Sequence, residues 1–80
     1  MSNQRSGEAT EPIGQRIRRL RQERGLAQDR LAIEARVDQS GLSKLERGKE
    51  RRMGEVPLRR IAQVLGLTLD ELLEGTDFEG

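Results

Sequence analysis

QDRLAIEARVDQSGLSKLER, residues 28–47, is the stretch around which the rest of the chain is arranged. It contains two short amphipathic runs. The first carries Leu31, Ala32 and Ala35, the second Leu42 and Leu45, and Val37 sits at the bend. Spacings of three and four place the apolar side chains of each run on one helical face. The junction Arg36-Val37-Asp38 is too short for anything but a sharp turn between two helices. Outward on the second helix stay Gln39, Ser40, Ser43, Lys44 and Arg47. Amide, hydroxyl and cationic groups on one face are the chemistry that base edges and phosphates accept, so the second helix reads as one that enters a DNA major groove.

Eighty residues make one small domain in which burial is marginal, which favours an all-α fold with local contacts over a large sheet. Phe78 is the sole aromatic, so Leu, Ile, Val and Ala must build the core. Cysteine and histidine are absent. That excludes disulfides, zinc sites of the usual ligands and nearly all His- or Cys-based catalysis, and no metal or cofactor is expected. Ser40 and Ser43 have no base of the usual kind to activate them, so an enzyme is not expected. No apolar run approaches the ~20 residues of a membrane span, and no signal-peptide pattern opens the chain. A soluble, cytoplasmic, nucleoid-associated protein is the expectation.

The net charge of +1 hides an asymmetry. Residues 13–60 hold fourteen Lys/Arg against seven Asp/Glu, whereas residues 61–80 hold no basic residue and five acids. A basic body with an acidic end puts the cationic field on one side of the fold, where the two-helix unit lies.

Further signals set the other elements. A first helix is expected over residues 12–24, with Pro12 in its first turn, Gly25 as its stop, Ile13, Ile17 and Leu20 inward, and Arg16, Arg18, Arg19 and Arg24 outward. Asp38 is a good N-cap for the helix over 38–47, and Gly48 ends it. A polar loop follows at 49–55. A fourth helix is expected over 56–65 with Val56, Ile61, Ala62 and Leu65 inward, then a fifth opened by the capping box Thr68-Leu69-Asp70-Glu71. Leu67, Leu69, Leu72 and Leu73 are many large apolar residues for a short terminal helix, and they read as a dimer interface. Residues 1–11 read as a disordered arm and residues 75–80 as a flexible tail. Arg5 in the arm offers a cation to a phosphate or a minor groove.

The segment 13–73 resembles the Cro/repressor-type (XRE) helix-turn-helix domain of phage repressors and small bacterial regulators. The resemblance is carried by Ile17-Arg18-Arg19-Leu20-Arg21, Gly25-Leu26-Ala27-Gln28, Leu31-Ala32, Gln39-Ser40-Gly41-Leu42-Ser43, Leu45-Glu46-Arg47-Gly48, Ile61-Ala62 and Leu65-Gly66-Leu67, in that order. It implies a compact five-helix bundle of the lambda repressor-like kind over residues 12–74. It also implies an ion pair between Arg21 and Glu46, and a Gln28 that touches a phosphate and braces Gln39. Two positions depart from the family pattern. Ala27 replaces the usual Ser or Thr N-cap, a loss of ~1 kcal/mol. Arg36 replaces the usual glycine where the backbone turns left-handed, also at ~1 kcal/mol.

Gln39 suits adenine N6/N7, Ser40 any base, and Lys44 guanine O6/N7. Gly41 lets the helix come close to the groove. Ser43, Arg47, Lys49, Arg51 and Arg52 then hold phosphates. The expected function is a sequence-specific double-stranded DNA-binding regulator, a repressor acting as a homodimer on a palindromic operator. The alternative is the antitoxin of a toxin–antitoxin pair, whose other surface neutralises a toxin partner.

Overall fold

Five helices form among the described residues, and each follows its apolar spacing. In the computed structural model, which describes residues 10–77, they are α1 (Ile13–Glu23), α2 (Gln28–Ala35), α3 (Gln39–Glu46), α4 (Glu55–Val64) and α5 (Leu69–Leu73). No strand forms among the described residues; Glu11 and Thr76 make one isolated parallel bridge. α1 packs on α3 and α5, and α2 packs on α3 and α4. Ile13, Ile17, Leu31, Leu42, Leu58, Ile61 and Leu65 meet in the centre with almost no exposure. Each such side chain contributes roughly 1.5–3 kcal/mol by leaving water.

The helix ends are set by different devices. Asp38 caps α3, its Oδ2 accepting the Gly41 N–H at 2.9 Å. Thr68 and Glu71 form the reciprocal capping box of α5. Ala27 gives α2 no side-chain cap. α1 has no cap from its own segment either, but the Asp77 carboxylate accepts the Ile13 N–H at 3.3 Å from the far end of the chain.

Three expectations need correction. Val56 is 60% exposed, because it lies about half a turn around α4 from Leu58, which is buried in its place. Leu72 is fully buried in this chain's own core and is not free to form a dimer surface; Leu67, Leu69 and Leu73 are half-buried against that core. The flanks are also tied further out than the boundaries at Pro12 and Glu74. The Glu11 N–H donates to Gly75 O and the Asp77 N–H to Glu11 O, both at 3.0 Å. The rest of the arm, including Arg5, and residues 78–80 lie outside the described residues.

Candidate nucleic-acid interface

The second helix of the central pair is placed by its inner face. Leu42, Leu45 and Glu46 are buried, and α1 crosses them at Gly14. A Cβ at Gly14 would stand 1.7 Å from the Leu45 carbonyl oxygen, so only glycine permits this approach of the two backbones. Neither the spacing nor the composition of α1 flags that glycine.

Glu46 is the charged member of this buried face. Its side chain is 2% exposed, and that of Arg21 is 12% exposed. Arg21 Nε donates to Glu46 Oε2 at 3.0 Å and Nη2 to Oε1 at 2.9 Å, while Nη1 donates to Leu26 O at 2.9 Å. This planar two-point pairing is the geometry in which a guanidinium and a carboxylate bind most strongly. The bond to Glu46 holds the Arg21 guanidinium above its already high ordinary pKa, against the opposing effect of burial.

The network continues to the surface. Gln28 Nε2 donates to Glu46 Oε1 at 3.2 Å, and Gln28 Oε1 accepts from Gln39 Nε2 at 3.4 Å. Arg21, Glu46, Gln28 and Gln39 thus form one line from the α1–α3 contact to the start of α3. Gln39 is exposed and makes this one side-chain bond among the described residues, while the half-buried Gln28 is engaged on both sides.

On the outer face Gln39, Ser40, Lys44 and Arg47 are exposed, and Gly41 and Ser43 are half-buried. The cations divide sharply. Arg19 pairs with Glu11 and Glu23, Arg30 with Glu34 and Arg59 with Glu55. Lys44, Arg47, Lys49, Arg51 and Arg52 have no acidic partner among the described residues, and Arg18, Arg24, Arg36 and Arg60 share that condition, Arg24 and Arg60 bonding backbone carbonyls instead. The bond to Glu11 raises the Arg19 pKa. Residues 44–52 therefore present an excess of positive charge along α3 and the loop after it, five cations against the buried Glu46 and the exposed Glu50, suited to a polyanion.

The turn is left-handed at Arg36, φ 59° and ψ 44°, the sole non-glycine residue with positive φ among those described. Arg60 donates to the Ala35 and Arg36 carbonyls from α4. Arg16, expected to face out, is half-buried and donates to the Leu72 and Glu71 carbonyls, closing the end of α5. No local pattern announces either arginine, because each acts across more than twenty residues of sequence. Among the described residues no cluster of His, Cys, Asp or Glu is arranged to hold a metal ion. No helix among the described residues is long and apolar enough to cross a membrane.

Residues 12–74 match the family model of a helix-turn-helix domain. The HTH-type transcriptional regulator DdrOP3 of Deinococcus deserti is 42% identical over 66 residues, which is 82% of this chain and 50% of that protein. This chain thus spans about half the length of that relative. SinR, known from Bacillus subtilis, has been solved in complex with DNA; it superposes with a TM-score of 0.73 at 35% identity, over 78% of this chain and 98% of that one. The P22 c2 repressor in complex with a synthetic operator superposes with a TM-score of 0.71 at 27% identity, over 82% and 98% of the two chains. With its central helix pair, its glycine stops and its Arg21–Glu46 pair, the chain belongs to the Cro/repressor-type helix-turn-helix family.

Proposed function

We propose that this chain is a sequence-specific DNA-binding transcriptional regulator that lays α3 in the major groove. One observation carries the reading. The outer face of α3 and the following loop hold Gln39, Ser40 and Lys44 beside Arg47, Lys49, Arg51 and Arg52, cations with no ion-pair partner among the described residues. Gln39, Ser40 and Lys44 read base edges, and Gln28, Ser43, Arg47, Lys49, Arg51 and Arg52 hold phosphates. The buried Arg21–Glu46 pair contacts no DNA in this reading; it fixes Gln28, and through it Gln39, before binding.

The regulator acts as a repressor, covering a promoter as a homodimer through Leu67, Leu69 and Leu73. A two-fold dimer requires an approximately palindromic operator with half-sites about 34 Å, one helical turn, apart. Selecting bound sequences from a random DNA pool at physiological salt tests this. A symmetric motif with one-turn spacing is expected; recovery of no motif above background would overturn the reading.

One observation favours a second reading with a protein partner: SinR is also known in a complex with the SinI protein. An antitoxin that represses its own operon while its other surface holds a toxin would follow this plan. Co-purification of a stoichiometric partner separates it from a regulator acting alone.

A further inference from the structure

Arg59 and Arg60 are neighbours in α4 but do different things. Arg59 is exposed and pairs with Glu55 one turn back. Arg60 is half-buried and reaches across to the end of α2. There its Nε donates to the Ala35 carbonyl at 2.8 Å and its Nη2 to the Arg36 carbonyl at 3.1 Å. The α2 terminus is closed by the same pair of backbone bonds that ends α1, α3 and α4, here Val37 N–H on Ala32 O at 3.0 Å and Arg36 N–H on Ile33 O at 3.2 Å, and this pair leaves the Ala35 and Arg36 carbonyls to Arg60. A cation is favourable at a helix C-terminus, where the carbonyl dipoles converge. A planar guanidinium can engage two successive carbonyls in one fixed geometry, which an ammonium group cannot.

The two carbonyls flank the most strained backbone of the unit. Arg36 occupies the left-handed region that Gly25, Gly48, Gly66 and Gly75 occupy elsewhere in the chain. The peptide after it leads through Val37 to Asp38, the cap of α3. Resting on the DNA-binding reading above, we propose that Arg60 is a positioning residue for α3. Its fork clamps the turn and holds Arg36 left-handed, so the angle at which Gln39, Ser40 and Lys44 are presented is set from α4.

The test compares the wild-type chain with Arg60→Ala, Arg60→Lys, Arg36→Gly and the double variant Arg36→Gly/Arg60→Ala. Two quantities are read: amide exchange, and the ratio of affinities for the selected site and for random DNA. Arg60→Ala should speed exchange at the Val37 amide about tenfold, on the scale of one charge-assisted hydrogen bond, while the Leu65 amide, which caps the end of α4 on the Ile61 carbonyl, is unchanged. The affinity ratio should fall by about the same factor, with affinity for random DNA nearly constant. Arg60→Lys, which keeps the charge without the fork, should recover only part. Arg36→Gly should restore most of the loss in the Ala background, because glycine takes the left-handed backbone without strain. Equal acceleration at Val37 and Leu65, with no rescue by glycine, would reduce Arg60 to general stability and overturn the proposal. If Arg60→Ala does not fold, Arg60→Lys carries the same comparison. A wild-type chain without any preference among DNA sequences would sink the DNA-binding reading instead, and exchange at Val37 would still decide whether the clamp exists.

Discussion

The two faces of α3 obey different rules, and their glycines show it most directly. Gly14, across from the inner face, has the Leu45 carbonyl where its side chain would be. Gly41, in α3 itself, would meet only the Asp38 Oδ2 with an added Cβ, at an ordinary 3.7 Å. The inner face is fixed by backbone contact and by a buried ion pair. Among the described residues the outer face makes two side-chain bonds, from Gln39 to Gln28 and from the Gly41 N–H to the Asp38 cap. A helix built this way separates its tasks: substitutions inside alter fold and recognition together, and substitutions outside are free to alter recognition alone.

The comparison breaks most visibly at Gly14. Gly14→Ala should cost about 3 kcal/mol or more, at the upper end of overpacking costs, because α1 and α3 must part to admit the methyl group and backbone cannot yield as a side chain does. Urea unfolding checks this, and a loss under about 1 kcal/mol would mean that the crossing is not tight. Glu46→Ala comes next, at about 3 kcal/mol, since it leaves the Arg21 guanidinium largely out of water with only the Leu26 carbonyl. The same variant should weaken selective DNA binding beyond its effect on stability, because Gln28 loses the partner that orients it. A variant that loses stability but keeps full selectivity would uncouple the network from recognition.

On the outer face the expected signs differ. Lys44→Ala should leave the urea midpoint within about 0.5 kcal/mol of wild type, as expected for an exposed residue without partners. It should lose ~1–3 kcal/mol of affinity for the selected site and relax preference at one base pair. Equal losses on selected and random DNA, measured at the same salt concentration, would make Lys44 a phosphate contact.

This division also explains what could be read in the sequence. The helix pair, the Asp38 cap and the capping box of α5 were legible because each lies within a few residues of sequence and has its own residue signature. The Arg21–Glu46 pair came from family resemblance, and spacing alone would not have joined residues 25 apart. The clamp of Arg60, the end-cap by Arg16 and the strap of Glu11 against Thr76 and Asp77 were not legible. The two arginines make long-range bonds from residues whose local context matches that of solvated ones, and the strap is a backbone pairing between the two ends of the domain that no local pattern marks. Val56 misled for another reason. The stripe of Leu58, Ile61, Ala62 and Leu65 is already complete, and a fifth apolar residue one step out of phase simply stays in solvent. Leu72 misled in the opposite way, since a short terminal helix appeared to have more leucine than a small core would accept.

Gly41 gives the finest test. It has no positive φ and no described neighbour close enough to forbid a methyl group, so nothing among the described residues calls for glycine. Helix propensity opposes it: alanine there should stabilise the chain by about 0.5 kcal/mol, less than a mid-helix exchange because the site is in the first turn. If glycine serves close approach to a groove, Gly41→Ala should raise the urea midpoint and at the same time weaken binding to the selected site. Lost fit, with charge unchanged, would leave the salt dependence of binding as it was. Stability and affinity moving in opposite directions is the signature of an outer face shaped for a ligand. Both rising together would show that the groove leaves room at this position and that close approach is not why glycine stands there.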